Sequence, residues 1–152
     1  MAVTACVPTT PAPGGLTGLT VNAGGELVMV ASWCGEAPDG VVVARYAAGE
    51  TLEQADIKTP PLSGTSLSVS LENIPPGWRI QNGDLNFIAG QTYVISPYSS
   101  RTHVRLQDVD FTTQTKNSIP IRKIMIQEYT NDGSKNVFLS QEEFNQRAKL
   151  YC

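Results

Sequence analysis

From Leu16 onward the apolar positions fall in short runs, many alternating with polar ones and broken by Gly, Pro, Asn and Asp, the pattern of a chain of short strands. Leu16 to Val21 reads as a first strand and Asn22 to Gly25 as a turn. Glu26 to Cys34 gives the clearest strand signal. Leu27, Met29, Ala31 and Trp33 share one face, and Val28, Val30, Ser32 and Cys34 share the other. Apolar residues on both faces predict a central strand covered on both sides. Gly35 to Gly40 is a loop around Pro38-Asp39, and Val41 to Tyr46 returns as the next strand, so the two are expected to pair as a hairpin. Gly49 to Gly64 is polar and holds Pro60-Pro61, which predicts a long loop with a short helical turn at Leu52 to Ala55.

Ser66 to Leu71 alternates strictly, with Leu67, Val69 and Leu71 inward. Pro75-Pro76-Gly77 ends it, and Trp78 to Ile80 opens another extended segment. Gln91 to Ser96 lies between Gly90 and Pro97; Thr102 to Leu106 and Val109 to Thr113 are β-like. Ile119 to Tyr129 is a strand with Pro120 at an edge, and Asn131-Asp132-Gly133 turns into Asn136 to Leu139. The period then changes. Ser140 and Glu143 form a capping box, and Phe144, Ala148 and Tyr151 give a short amphipathic helix with Arg147 and Lys149 in its last turn. There is no internal repeat. The expected architecture is mostly β: an antiparallel β-sandwich over residues 16–152 with a short C-terminal helix, after a flexible Pro/Thr/Gly tether over residues 1–15.

Composition fits one domain with a real core: 152 residues, 41% hydrophobic, only 16% charged, net charge −3. The densest basic pair is Arg122-Lys123, so the footprint of a nucleic-acid groove or a polybasic membrane patch is missing from the sequence. No apolar run approaches the roughly 20 residues of a membrane-spanning helix.

Cys6, preceded by Val3-Thr4-Ala5 and followed by Val7-Pro-Thr-Thr-Pro-Ala-Pro-Gly-Gly15, resembles the processing site of bacterial lipoproteins, with Met1 to Thr4 as the remnant of a signal peptide. That resemblance implies an exported protein held to the membrane by a lipid on Cys6. The other reading is a free cysteine in a tail. With Cys6 lipidated, Cys34 and Cys152 remain as an even pair in an oxidising compartment and are expected to form a disulfide, against the alternative of two unpaired thiols. Trp33 beside Cys34, and Gly90-Gln-Thr-Tyr93-Val94, resemble immunoglobulin-like and fibronectin type III-like domains. The whole layout resembles small uncharacterised lipoproteins of actinobacterial type. The resemblance implies a fold and an address, not a reaction.

Candidate chemistry is sparse. Gly64-Thr-Ser66-Leu-Ser68 lacks the closing glycine of a nucleophile elbow, and the single histidine, His103, reads as an edge or solvent-facing residue. One histidine and no CxxC spacing leave no zinc set, and no cofactor is expected. Asp108 and Asp110 share a strand face and suit a cation or acid/base work, or simply a solvated face. Asp132, Ser134, Asn136 and Glu143 fall at calcium-loop positions, but Val137 stands where the sharp turn needs glycine and Lys135 adds a repelling charge, so a turn followed by a capped helix explains them as well. Trp78 on a Pro-Gly turn and Tyr98 are candidate contacts for a protein or glycan, with core packing as the alternative. The leading expectation is a non-enzymatic cell-surface binding or accessory module. Its rivals are a wall-side carboxylate-dependent enzyme and a structural subunit of an exported or phage-like assembly.

Overall fold

The structure, a computed structural model, describes residues 14–152. It is an antiparallel β-sandwich of two five-stranded sheets. Sheet A runs β10 (Gly133–Leu139), β9 (Ile124–Thr130), β1 (Gly15–Val21), β2 (Leu27–Trp33), β5 (Ser66–Ser70). Sheet B runs β6 (Arg79–Gly83), β4 (Glu50–Lys58), β3 (Gly40–Ala47), β7 (Tyr93–Tyr98), β8 (Val109–Phe111). A four-residue helix α1 (Thr115–Ser118) precedes β9, and α2 (Gln141–Lys149) follows β10.

Period-two alternation builds the core between the sheets. Leu19, Met29 and Met125 of sheet A meet Val43, Tyr93 and Ile95 of sheet B. The doubly apolar β2 serves two cores: Leu27 and Met29 face sheet B, while Val28 and Val30 face Phe144 and Ala148 of α2 on the outside of sheet A. The Ser140–Glu143 capping box forms as expected, each side chain taking the other residue's backbone amide. Gly18 on β1 lets the helix approach. A Cβ there would stand 2.5 Å from Ile124 Cγ2 and 3.1 Å from Phe144 Cε2.

Cys34 and Cys152 are bridged, with Cα atoms 5.5 Å apart. The bridge does not cross the sandwich. Trp33 points into a small inner cluster with Ala31 and Leu106, so Cys34, one residue on, takes the opposite side and ties the chain end beyond α2 to sheet A.

Backbone and side-chain amides join the two sheets along one side. Gln107 donates to Gly15 (2.9 Å) and accepts from Thr17 (3.0 Å), while Leu106 donates to Pro97 (3.1 Å). Lower down, the buried Gln127 of β9 acts as a surrogate strand for β8, accepting from the Asp110 amide (2.7 Å) and donating to its carbonyl (2.9 Å). On the other side the sheets end at β5 and β6.

Several local expectations need correcting. β2 and β3 are not a hairpin; they lie in different sheets, and 34–39 crosses between them. The polar stretch after Gly49 is not a loop with a helical turn but strand β4, paired with β3 through Ala48 and Gly49, both in the left-handed region (φ 52 and 81) that a two-residue hairpin turn demands. Only Ala55 and Ile57 of β4 are buried, too few to register as a strand pattern. β7 runs through Pro97, whose carbonyl alone is used there. Thr102 to Leu106 is not a strand: it leaves a turn at Thr102, passes His103 at φ 57 and makes only an isolated bridge from Arg105 to Tyr98. Residues 119–123 are a turn before β9, with Arg122 at φ 63.

Thr17 is fully buried, and its hydroxyl has no hydrogen-bond partner among the described residues. Thr17→Val keeps the shape and removes the orphaned group. It is expected to raise stability by about 1 kcal/mol, read as a higher thermal midpoint; a drop would mean the hydroxyl is satisfied.

Candidate functional site

A cleft of about 450 Å³ opens at the end of the sandwich where β2 begins and β5 and β8 finish. Leu27 and Leu71 of sheet A form one wall, Ile80, Leu85 and Phe87 the other, and Ile74 and Phe111 line it further. Phe87 is fixed edge-on against Tyr93 (centroids 4.9 Å, 71°) and Phe111 (5.1 Å, 80°). The Tyr93 hydroxyl is held by the Ile88 amide at 2.6 Å. An ion pair edges the cleft. Lys116 of α1 donates to Glu72 at 3.0 Å, and Glu72 also accepts the Leu27 amide at 2.6 Å. Burial raises the proton affinity of Glu72, but the Leu27 amide and Lys116 outweigh it and hold the carboxyl below its usual range.

A second cluster lies on the outer face of sheet B. Val109 is buried inward, so Asp108 and Asp110 point outward, beside Tyr46 of β3 and Tyr129 of β9. The Tyr129 hydroxyl donates to Asp108 at 3.0 Å. Burial, then the charge of Asp108, pushes the Asp110 proton affinity up. Both tyrosines are shifted the same way, by burial first and then by the two carboxylates.

The other anticipated residues stand apart. Tyr98 lies across Gly40, where no Cβ would fit, and its hydroxyl donates to Asp56 (2.9 Å) and accepts from Lys58. That network is spent on holding the β7 end against β3 and β4. Trp78 is half-buried and packs against the inter-sheet core, separated from Tyr98 by β3 and β4. Only Asp108 and Asp110 are brought together. Asp132, Ser134 and Asn136 do not form a calcium loop: Ser134 and Asn136 lie in the extended β10, and Glu143 is committed to the helix cap. Among the described residues no group of three or more His, Cys, Asp or Glu side chains is placed to hold a metal. Cys6 lies outside the described residues.

Sequence reasoning missed the cleft because Ile74, Ile80, Leu85 and Phe87 are single apolar residues in a polar stretch with no common period. Tyr129 was hidden because it continues the sandwich-facing side of β9 after Met125 and Gln127, and only the end of the core leaves it exposed. In comparisons with protein-family models, curated proteins and solved structures, nothing matches this chain. The fold and site therefore define the class only as far as a disulfide-stapled β-sandwich with an apolar cleft and an acid–tyrosine patch.

Proposed function

We propose that this chain is an exported binding domain, tethered through Cys6, that receives an apolar group of a protein or glycan partner in the cleft at its far end. The observation that carries this reading is the polarity of β1. The strand starts at Gly15, beside Trp33 and the bridged Cys34, and ends at Val21 beside Leu27, which lines the cleft. A tether at Cys6 thus enters at the opposite end from the cleft and leaves its mouth facing outward. The Cys34–Cys152 bridge agrees with an oxidising compartment. The cleft volume falls in the range of ligand sites, and its apolar walls with a single ion pair suit recognition rather than chemistry. The carboxylate-enzyme reading rests on Asp108 and Asp110, either side of Val109, and among the described residues no third His, Cys, Asp or Glu joins them in a group.

The test has two parts. Intact mass of protein taken from membranes of its native host, with and without reduction, is expected to show a diacylated Cys6 and a gain of two hydrogens. A photo-crosslinking residue at Ile80, which is 39% exposed in the cleft wall, is expected to give one discrete adduct on intact cells, absent when the same residue replaces the exposed Ser134. An unlipidated chain would remove the tether, and equal crosslinking from both positions would remove the cleft.

A further inference from the structure

We infer that Tyr46, Asp108, Asp110 and Tyr129 form a second binding site, independent of the cleft, for an organic ammonium group. The site is built on a small apolar floor. Ala44 of β3 pairs with Val94 of β7, and Val94 pairs with Asp110 of β8, so all three share the outer face of sheet B. Val94 is only 6% exposed, and the taller side chains stand around it. Tyr46 and Tyr129 are 43% and 56% exposed, so ring surface is open to a ligand. Ser96, two residues along β7 on the same face, is nine-tenths buried.

The charges are uncompensated. The ion pairs of the described residues use Asp56, Glu36, Glu72 and Glu128, and none reaches Asp108 or Asp110. Gln127 pins the Asp110 backbone through both its amide and its carbonyl and leaves the carboxylate unneutralised. The groups around Asp110 are Asp108 on its own strand, Tyr46 from β3 and Tyr129 from β9. β7 brings only the uncharged Val94 and Ser96, and β10 brings Asn136, which contacts Gln127. Arg45, next to Tyr46, lines a different recess with Glu53 and Asp84.

Two anions flanked by two neutral phenol rings select a cation that is large and weakly hydrated. Ring faces attract such an ion through their quadrupole, and the carboxylates supply the net charge. A small hard cation is disfavoured, because calcium takes about six to eight oxygens and this patch offers two carboxylates. The matching chemistry is an alkylammonium: either a primary amine, as on a lysine side chain or a polyamine, or a quaternary head group. The ligand favours ionised Asp110. Since that carboxyl holds its proton more tightly than usual, affinity falls as pH drops through its raised pKa, and binding near that pH releases a proton.

The test titrates the full-length chain with n-butylammonium and, separately, with tetramethylammonium, following the Tyr46 and Tyr129 ring resonances at constant ionic strength. A saturable shift with at least one probe is expected. It should weaken roughly tenfold or more in Asp110→Asn, lose its pH dependence there, and weaken in Tyr46→Leu, while thermal midpoints stay near that of the parent. Which probe binds tighter separates the amine source from the quaternary one. Shifts matched by sodium at equal ionic strength, binding retained in Asp108→Asn/Asp110→Asn, or saturation by calcium with neither ammonium would each overturn the assignment.

Discussion

Replacing Cys34 and Cys152 together by serine is expected to lower the unfolding free energy by about 5 kcal/mol, the largest effect of any change considered for this chain. The bridge spans 118 residues of sequence, so in the unfolded chain it closes a loop holding almost all of the described domain. Loop-closure entropy grows only with the logarithm of loop length, so a bridge this long sits near the upper end of what one disulfide provides. A domain of this size is held by about 5–15 kcal/mol in total, so the reduced chain should approach its stability threshold. Chemical denaturation in buffer with and without a reductant measures it. The midpoint should fall steeply, and the slope should rise as the freed unfolded chain exposes more surface. A loss below about 1 kcal/mol would mean that the reduced unfolded chain is already compact.

The position of the bridge marks how far the sequence could be read. Its pairing followed from counting cysteines in an expected compartment, and its geometry did not. Unlike the inter-sheet bridge of immunoglobulin domains, this one has Cys34 turned outward and fastens the end beyond α2. The sandwich, the doubly covered β2 and the capped helix were legible because each rests on a local signal: alternation, apolar residues on both faces, and Ser140 with Glu143. Strand partners were not. β2 and β3 look like a hairpin because a short turn-rich loop separates them, and nothing local says that the chain changes sheet there. β4 was lost because sheet B buries only Ala55 and Ile57 of its nine residues. The acid pair was legible as two outward positions of one strand. Its tyrosine walls come from β3 and β9, far apart in sequence, and only the packing of the two sheets sets them beside it.

Phe144→Ala is expected to cost about 3–5 kcal/mol, the range for deleting a fully buried phenylalanine. Phe144 is 0% exposed and fills the space between α2 and the outer face of sheet A, against residues including Leu16, Val30 and Ile126. That face cannot collapse onto the gap, because its β-strands are held in register by β2 and β9, so the cavity persists. The loss also depends on the bridge. With Cys34 and Cys152 joined, α2 is fastened at both ends, by the Ser140 cap after β10 and by the disulfide after Lys149. Its last turn is also held by Arg147, which donates to Glu128 of β9. In the oxidised protein the variant should therefore still unfold in one cooperative step at a lower midpoint. In the Cys34→Ser/Cys152→Ser background the covalent fastening is gone, and α2 is held to the sheet by Phe144, Ala148 and the partly exposed Arg147–Glu128 ion pair. There the same substitution should let the helix leave before the sandwich melts, exposing Val28 and Val30. Amide exchange across α2, measured in a double-mutant cycle, distinguishes the two cases: coupling between the bridge and Phe144 is expected, and strict additivity would mean that the helix docks independently of its tie.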